Sequence, residues 1–164
     1  MLRARVAFLV FAAALIGQSL TPAENDPGYK LIVNAASPAT SVSREALVLI
    51  FLKKTNAWPS GPDVTPVDQQ SDSPARRAFS LNVLGKTPHE VASYWNQMIL
   101  SGRAIPPPVK RSDHEVLVFV RGDSSAVGYV MGSTEVGQDL RVLKIQADAP
   151  AVGDGAERSK SLRP

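Results

Sequence analysis

Val64-Thr65-Pro66-Val67-Asp68-Gln69-Gln70-Ser71-Asp72-Ser73-Pro74-Ala75-Arg76-Arg77-Ala78-Phe79 changes its periodicity partway along. Residues 64–68 alternate, with Val64 and Val67 as the apolar members, which predicts a strand. Gln69 to Ser73 is a polar loop. Ser73 then caps a helix that carries Pro74 at its first position, where a residue without an N–H costs no hydrogen bond. That helix runs to about Leu84, with Ala75, Ala78, Phe79 and Val83 turned inward. Strand, short loop and helix are the building unit of an α/β layer.

Upstream, Leu31, Ile32 and Val33 form a short apolar run within Lys30 to Asn34 and predict a buried strand. Residues 35–42 are small and polar around Pro38 and predict a loop. Ala46 to Leu52 is apolar throughout, so its period alone leaves helix and strand open. Ser43 as a cap, Arg44 and Glu45 behind it, and Lys53 and Lys54 at the far end favour a helix. Downstream, Gly85 closes the second helix, and Thr87-Pro88-His89-Glu90 is a capping box. Val91, Tyr94, Trp95, Met98 and Ile99 follow at helical spacing. Ile105-Pro106-Pro107-Pro108-Val109 is extended. Ser112-Asp113-His114-Glu115 is a second capping box opening a helix with Val116, Leu117, Phe119 and Val120. Residues 126–131 and 140–145 read as strands. The predicted order is β-α-β-α-α-α-β-β, a small α/β layer structure.

The two ends read differently. Arg3 and Arg5 precede an apolar run of 11 residues, Val6 to Ile16, against the roughly 20 that span a bilayer. Small and polar residues follow. This pattern predicts a secretory signal over 1–23, cleaved after Ala23 or at Ser19, and a periplasmic or secreted protein. From 147 to 164 only Val152 and Leu162 are large and apolar, so a disordered tail is expected after a domain over 24–146. Overall the chain has 164 residues and a net charge of +3. Residues 24–150 hold 13 basic and 13 acidic side chains, so the excess lies in the ends. A neutral domain with 6% aromatics has neither the basic face nor the stacking residues of a nucleic-acid binder. The absence of cysteine excludes disulfides, thiolate metal sites and a thiol nucleophile.

Catalytic chemistry finds little support. His89 and His114 both sit in first-turn capping segments, and no helix pairs metal ligands at i, i+4. There is no nucleophile elbow and no phosphate-binding glycine loop with a lysine. No catalytic residue, metal ligand or cofactor is expected. The loop from Asp68 to Ser73 is more suggestive. A helix start, the Ser73 hydroxyl, Gln69 and the guanidinium of Arg76 are groups that could receive an oxyanion. Against this, Pro74 removes one backbone donor, Asp68 and Asp72 repel anions, and ordinary capping explains the same residues.

The order of motifs is similar to that of the substrate-binding proteins of phosphate ABC transporters. The resemblance runs through Leu31-Ile32-Val33-Asn34, Ile50-Phe51-Leu52-Lys53, Trp58-Pro59-Ser60-Gly61, Ser73-Pro74-Ala75-Arg76-Arg77-Ala78-Phe79 and Gly128-Tyr129-Val130. It implies a type II periplasmic-binding-protein fold, here a single lobe with a small mixed sheet flanked by about four helices. It also implies a phosphate-like anion as ligand and a membrane transporter or sensor as partner. In the family this lobe holds phosphate with an Arg and a Ser-Gly-Thr. Ser73 matches the Ser, Pro74 and Ala75 stand in place of Gly and Thr, and Gln69 falls at the Arg. The alternative is an interaction module that binds a protein partner, or itself, through the surface a second lobe would cover. Trp58 and Pro106–Pro108 are its candidate exposed features; packing of a Trp and a rigid connector explains them equally.

Overall fold

The computed structural model describes residues 27–146. The expected signal and tail lie outside the described residues. In chain order the elements are β1 (Tyr29–Asn34), β2 (Ser41–Ser43), α1 (Arg44–Phe51), β3 (Thr65–Pro66), β4 (Asp68–Gln69) and α2 (Pro74–Phe79), which continues as a π-helical turn (Ser80–Leu84). They continue with α3 (Pro88–Leu100), β5 (Val109–Lys110), α4 (Asp113–Gly122), β6 (Ala126–Met131), β7 (Leu140–Val142) and β8 (Lys144–Gln146). The fold is α/β, with a mixed sheet between helices.

The main sheet has the order β3-β6-β1-β7. β1 is antiparallel to β6 and to β7, while β3 runs parallel to β6. Both faces of β1 are covered, which is why Leu31-Ile32-Val33 is an unbroken apolar run rather than an alternating one. Leu31 and Val33 join one core with Phe51, Phe79, Trp95 and Tyr129. Ile32 joins the other with Val67, Val116, Val120 and Val130. The first core lies under α1, α2 and α3, and the second under α4. Within the first, the Phe79 and Tyr129 rings stack with centroids 4.1 Å apart.

The caps form where the sequence places them. Ser43, Ser73, Thr87 and Ser112 each accept a first-turn N–H through the side chain. Thr87 and Glu90 close a full capping box, and the backbone and hydroxyl of Thr87 hold the Glu90 carboxyl below its usual range. The box at Ser112 closes differently: Glu115 accepts from the N–H of Arg111, one residue further back.

Three features depart from the sequence reading. Residues 140–145 form two strands, because each half takes a different partner: β7 pairs with β1, Leu143 N still donates to the Leu31 carbonyl, and β8 then pairs with β2. β2 lies inside the expected loop 35–42 and extends to Ser43, and β5 follows the proline run. These short strands exist only through their partners and have no readable period. The helix from Pro74 keeps its predicted end at Gly85 (φ +62°) but loosens into a π turn from Ser80. Arg44 reaches across to donate to the Val83 carbonyl at 3.3 Å.

Ser80 is fully buried and its hydroxyl has no partner. An unsatisfied buried hydroxyl costs about 1–3 kcal/mol. Ser80→Ala is therefore expected to leave the urea unfolding midpoint unchanged or to raise it.

Candidate functional site

The segment from Thr65 to Gln69 is continuous but serves two neighbours. Its first half pairs with β6, and Val67 donates to the Val127 carbonyl at 2.8 Å. Its second half pairs in parallel with β5, where Asp68 donates to the Pro108 carbonyl at 2.9 Å. The two partners diverge at this point. Gln69 fills the fork: its side-chain amide donates to the Tyr129 carbonyl at 2.8 Å, replacing a backbone ladder bond.

All three residues singled out in the sequence meet here. The Gln69 amide nitrogen also donates to Asp113 Oδ1 at 2.9 Å, and its oxygen accepts from the Ser73 hydroxyl at 2.6 Å. The Ser73 hydroxyl in turn caps Arg76 N. Arg76 forms an ion pair with Asp68, and the side chains of both are 7% exposed. The same guanidinium nitrogen, Nη1, donates to the Tyr129 hydroxyl at 3.2 Å, and that hydroxyl donates to Asp68 Oδ1. Asp113 Oδ2 accepts from Met131 N and from the Thr134 hydroxyl. Gln69 thus uses both amide hydrogens and its oxygen within the protein.

The electrostatics follow from burial. Desolvation pushes the Tyr129 hydroxyl up to about 12, with Arg76 opposing. Desolvation also lowers Arg76, again partly offset by Tyr129. A guanidinium remains charged in any case, so the cluster is a cation, a carboxylate and a neutral phenol packed together, with Arg76 Nε buried and without a partner. Asp68, Tyr129 and Asp113 complete this network, and no local sequence signal marks their membership. The nearest hint in the sequence is the Gly-Tyr-Val motif at 128–130, which carries the phenol.

Beside this network lies an open depression of about 320 Å³, lined by Gln69, Gln70, Asp72, Ser73, Arg111 and Ser112 among others. The starts of α2 and α4 both border it. At α2 the anion-binding donors are reduced, because Pro74 has no N–H and Ser73 takes that of Arg76. Its exposed charges are of both signs: Asp72 and Arg111. Among the described residues no three His, Cys, Asp or Glu side chains come together as a metal site. His89 and His114 are exposed on separate helices. Trp58 is buried, 3% exposed, so it packs rather than presents itself. No helix among the described residues is long and apolar enough to cross a membrane.

The depression therefore lies where β4 ends and α2 and α4 begin. No protein-family model matches the chain, and no curated protein does. Solved structures do. An ABC-type phosphate transport receptor from Vibrio cholerae aligns over 72% of this chain and 46% of its own, at 21% identity and a TM-score of 0.53. A putative phosphate ABC transporter substrate-binding protein with bound phosphate, from Clostridium perfringens, aligns over 72% and 44%, at 18% identity and 0.57. PstS from Borrelia burgdorferi aligns over 75% and 49%, at 17% identity and 0.56. The chain spans less than half the length of each. At these identities the likeness establishes the fold.

Proposed function

We propose that the chain is a non-enzymatic, solute-binding-protein-like module, periplasmic or secreted, whose cleft wall meets another protein rather than closing on phosphate by itself. The observation that carries this reading is the commitment of Gln69, of the Ser73 hydroxyl and of Arg76 Nη1 to protein atoms. A tight anion site needs donors held ready for the ligand and walls on both sides. Here one wall is present among the described residues, and its matched positions donate inward. The apolar run behind Arg3 and Arg5 supports export. The partner is a membrane transporter or sensor, or a second copy.

The test is calorimetry and thermal unfolding of the chain from residue 24, with phosphate and with sulfate. A ligand at a thousand times its Kd stabilises a fold by about 4 kcal/mol. The expected result is no saturable heat and no shift of the unfolding temperature at millimolar anion. Micromolar binding of phosphate would overturn the reading and restore direct anion capture at Ser73, Gln69 and Arg76.

A further inference from the structure

Ile105-Pro106-Pro107-Pro108-Val109 joins α3 to β5. Proline fixes φ and disfavours helical backbone in the residue before it. Ile105, Pro106 and Pro107 each precede a proline, so the segment is held extended, in the polyproline II range. That helix repeats every three residues, which puts positions 105 and 108 on one side. Ile105 is 81% exposed and Pro108 is exposed, whereas Pro107 between them is buried. The segment is moored through Pro107 and through the Pro108 carbonyl, which accepts from Asp68 N. Leu100, at the end of α3, is 88% exposed and Val109 is 55% exposed. Arg103 and Arg111 flank the run; both are exposed, and neither joins an ion pair among the described residues.

We propose that Ile105–Val109 is a docking ligand for a partner protein that reads it in a groove lined by aromatic side chains and rimmed by carboxylates. A polyproline segment is already in its bound shape, so little ordering entropy opposes its capture. Proline rings and Ile105 offer flat apolar surfaces to aromatic faces. Two unpaired guanidinium groups at the ends call for acidic groups at the ends of the groove. The segment shares Arg111 with the rim of the depression, but its capture does not depend on whether that depression binds an anion.

The test uses the full chain in its own cells, with a photoreactive benzophenone amino acid in place of Ile105. The same label at exposed His89 is the control. The expected result is an adduct from position 105 alone, with a partner peptide that contains Trp, Tyr or Phe. The adduct should fall at least tenfold in Pro108→Ala and in Arg103→Glu with Arg111→Glu, at an unchanged unfolding midpoint. A peptide of residues 103–111 should compete with it. The proposal fails if yields at positions 105 and 89 are equal. It also fails if the adduct is with lipid or with a second copy, or if the substitutions leave the adduct unchanged.

Discussion

Asp68→Ala is expected to destabilise the fold by about 3–5 kcal/mol, the range for removing one member of a buried ion pair. The substitution leaves the Arg76 guanidinium, 6% exposed as a residue, without its counter-ion. It also takes the acceptor from the Tyr129 hydroxyl and one of the two acceptors of Gln69 N, which keeps the Tyr129 hydroxyl. Domain stabilities are about 5–15 kcal/mol, so the variant should be partly unfolded or close to it. Asp68→Leu combined with Arg76→Met and Tyr129→Phe should recover most of the loss, because an apolar set of similar volume is often neutral in such sites and leaves no orphaned phenol. Urea unfolding of the two variants beside the parent checks both statements. An Asp68→Ala variant within 1 kcal/mol of the parent would mean that the cluster does not depend on this pair.

Gly128→Ala is the second large effect. Gly128 sits in the middle of β6, under α4. A Cβ there would lie 2.7 Å from both Val116 Cγ1 and Val67 Cγ1, and 3.2 Å from Val120 Cγ2. These three valines are buried, branched and packed in the second core, so none can swing aside. Overpacking of this kind costs about 1–3 kcal/mol. Gly128→Val adds two more methyl groups and should prevent folding. Gly122→Ala, at the end of α4, is the control: a Cβ there meets nothing within 4 Å, and replacing a helical glycine should gain about 0.5–1 kcal/mol. If circular dichroism melts show the two Ala variants to be equally stable, the tight approach of α4 to β6 is wrong.

Elements with local signals were legible in the sequence. Ser43, Thr87 and Ser112 announce helix starts through chemistry confined to a single turn, and the buried run of β1 needs no partner to be seen. β2, β5 and the break at Leu143 were not legible, because their pairing partners lie far along the chain. The candidate site divides in the same way. That Gln69, Ser73 and Arg76 gather at one strand-to-helix turn follows from their spacing. That their polar atoms turn inward does not. Asp113 lies 44 positions from Gln69, and Tyr129 lies 61 from Asp68. Only the tertiary fold, which sets the end of β4 beside Tyr129 of β6 and Asp113 at the start of α4, brings these groups together. Gln69, Pro74 and Ala75, which differ from the pattern the sequence resembles, mark a changed site without showing what replaces it.

The Gln69 amide is committed to Asp113, Ser73 and Tyr129 and is not offered to an anion. Its side-chain NH₂ resonances in a ¹⁵N spectrum report on this directly. The expected result is two slowly exchanging protons whose positions do not move as phosphate is added to millimolar concentration, and no movement of the Ser73, Ala75 or Arg76 amides. A saturable shift of the Gln69 side chain together with those amides would contradict it.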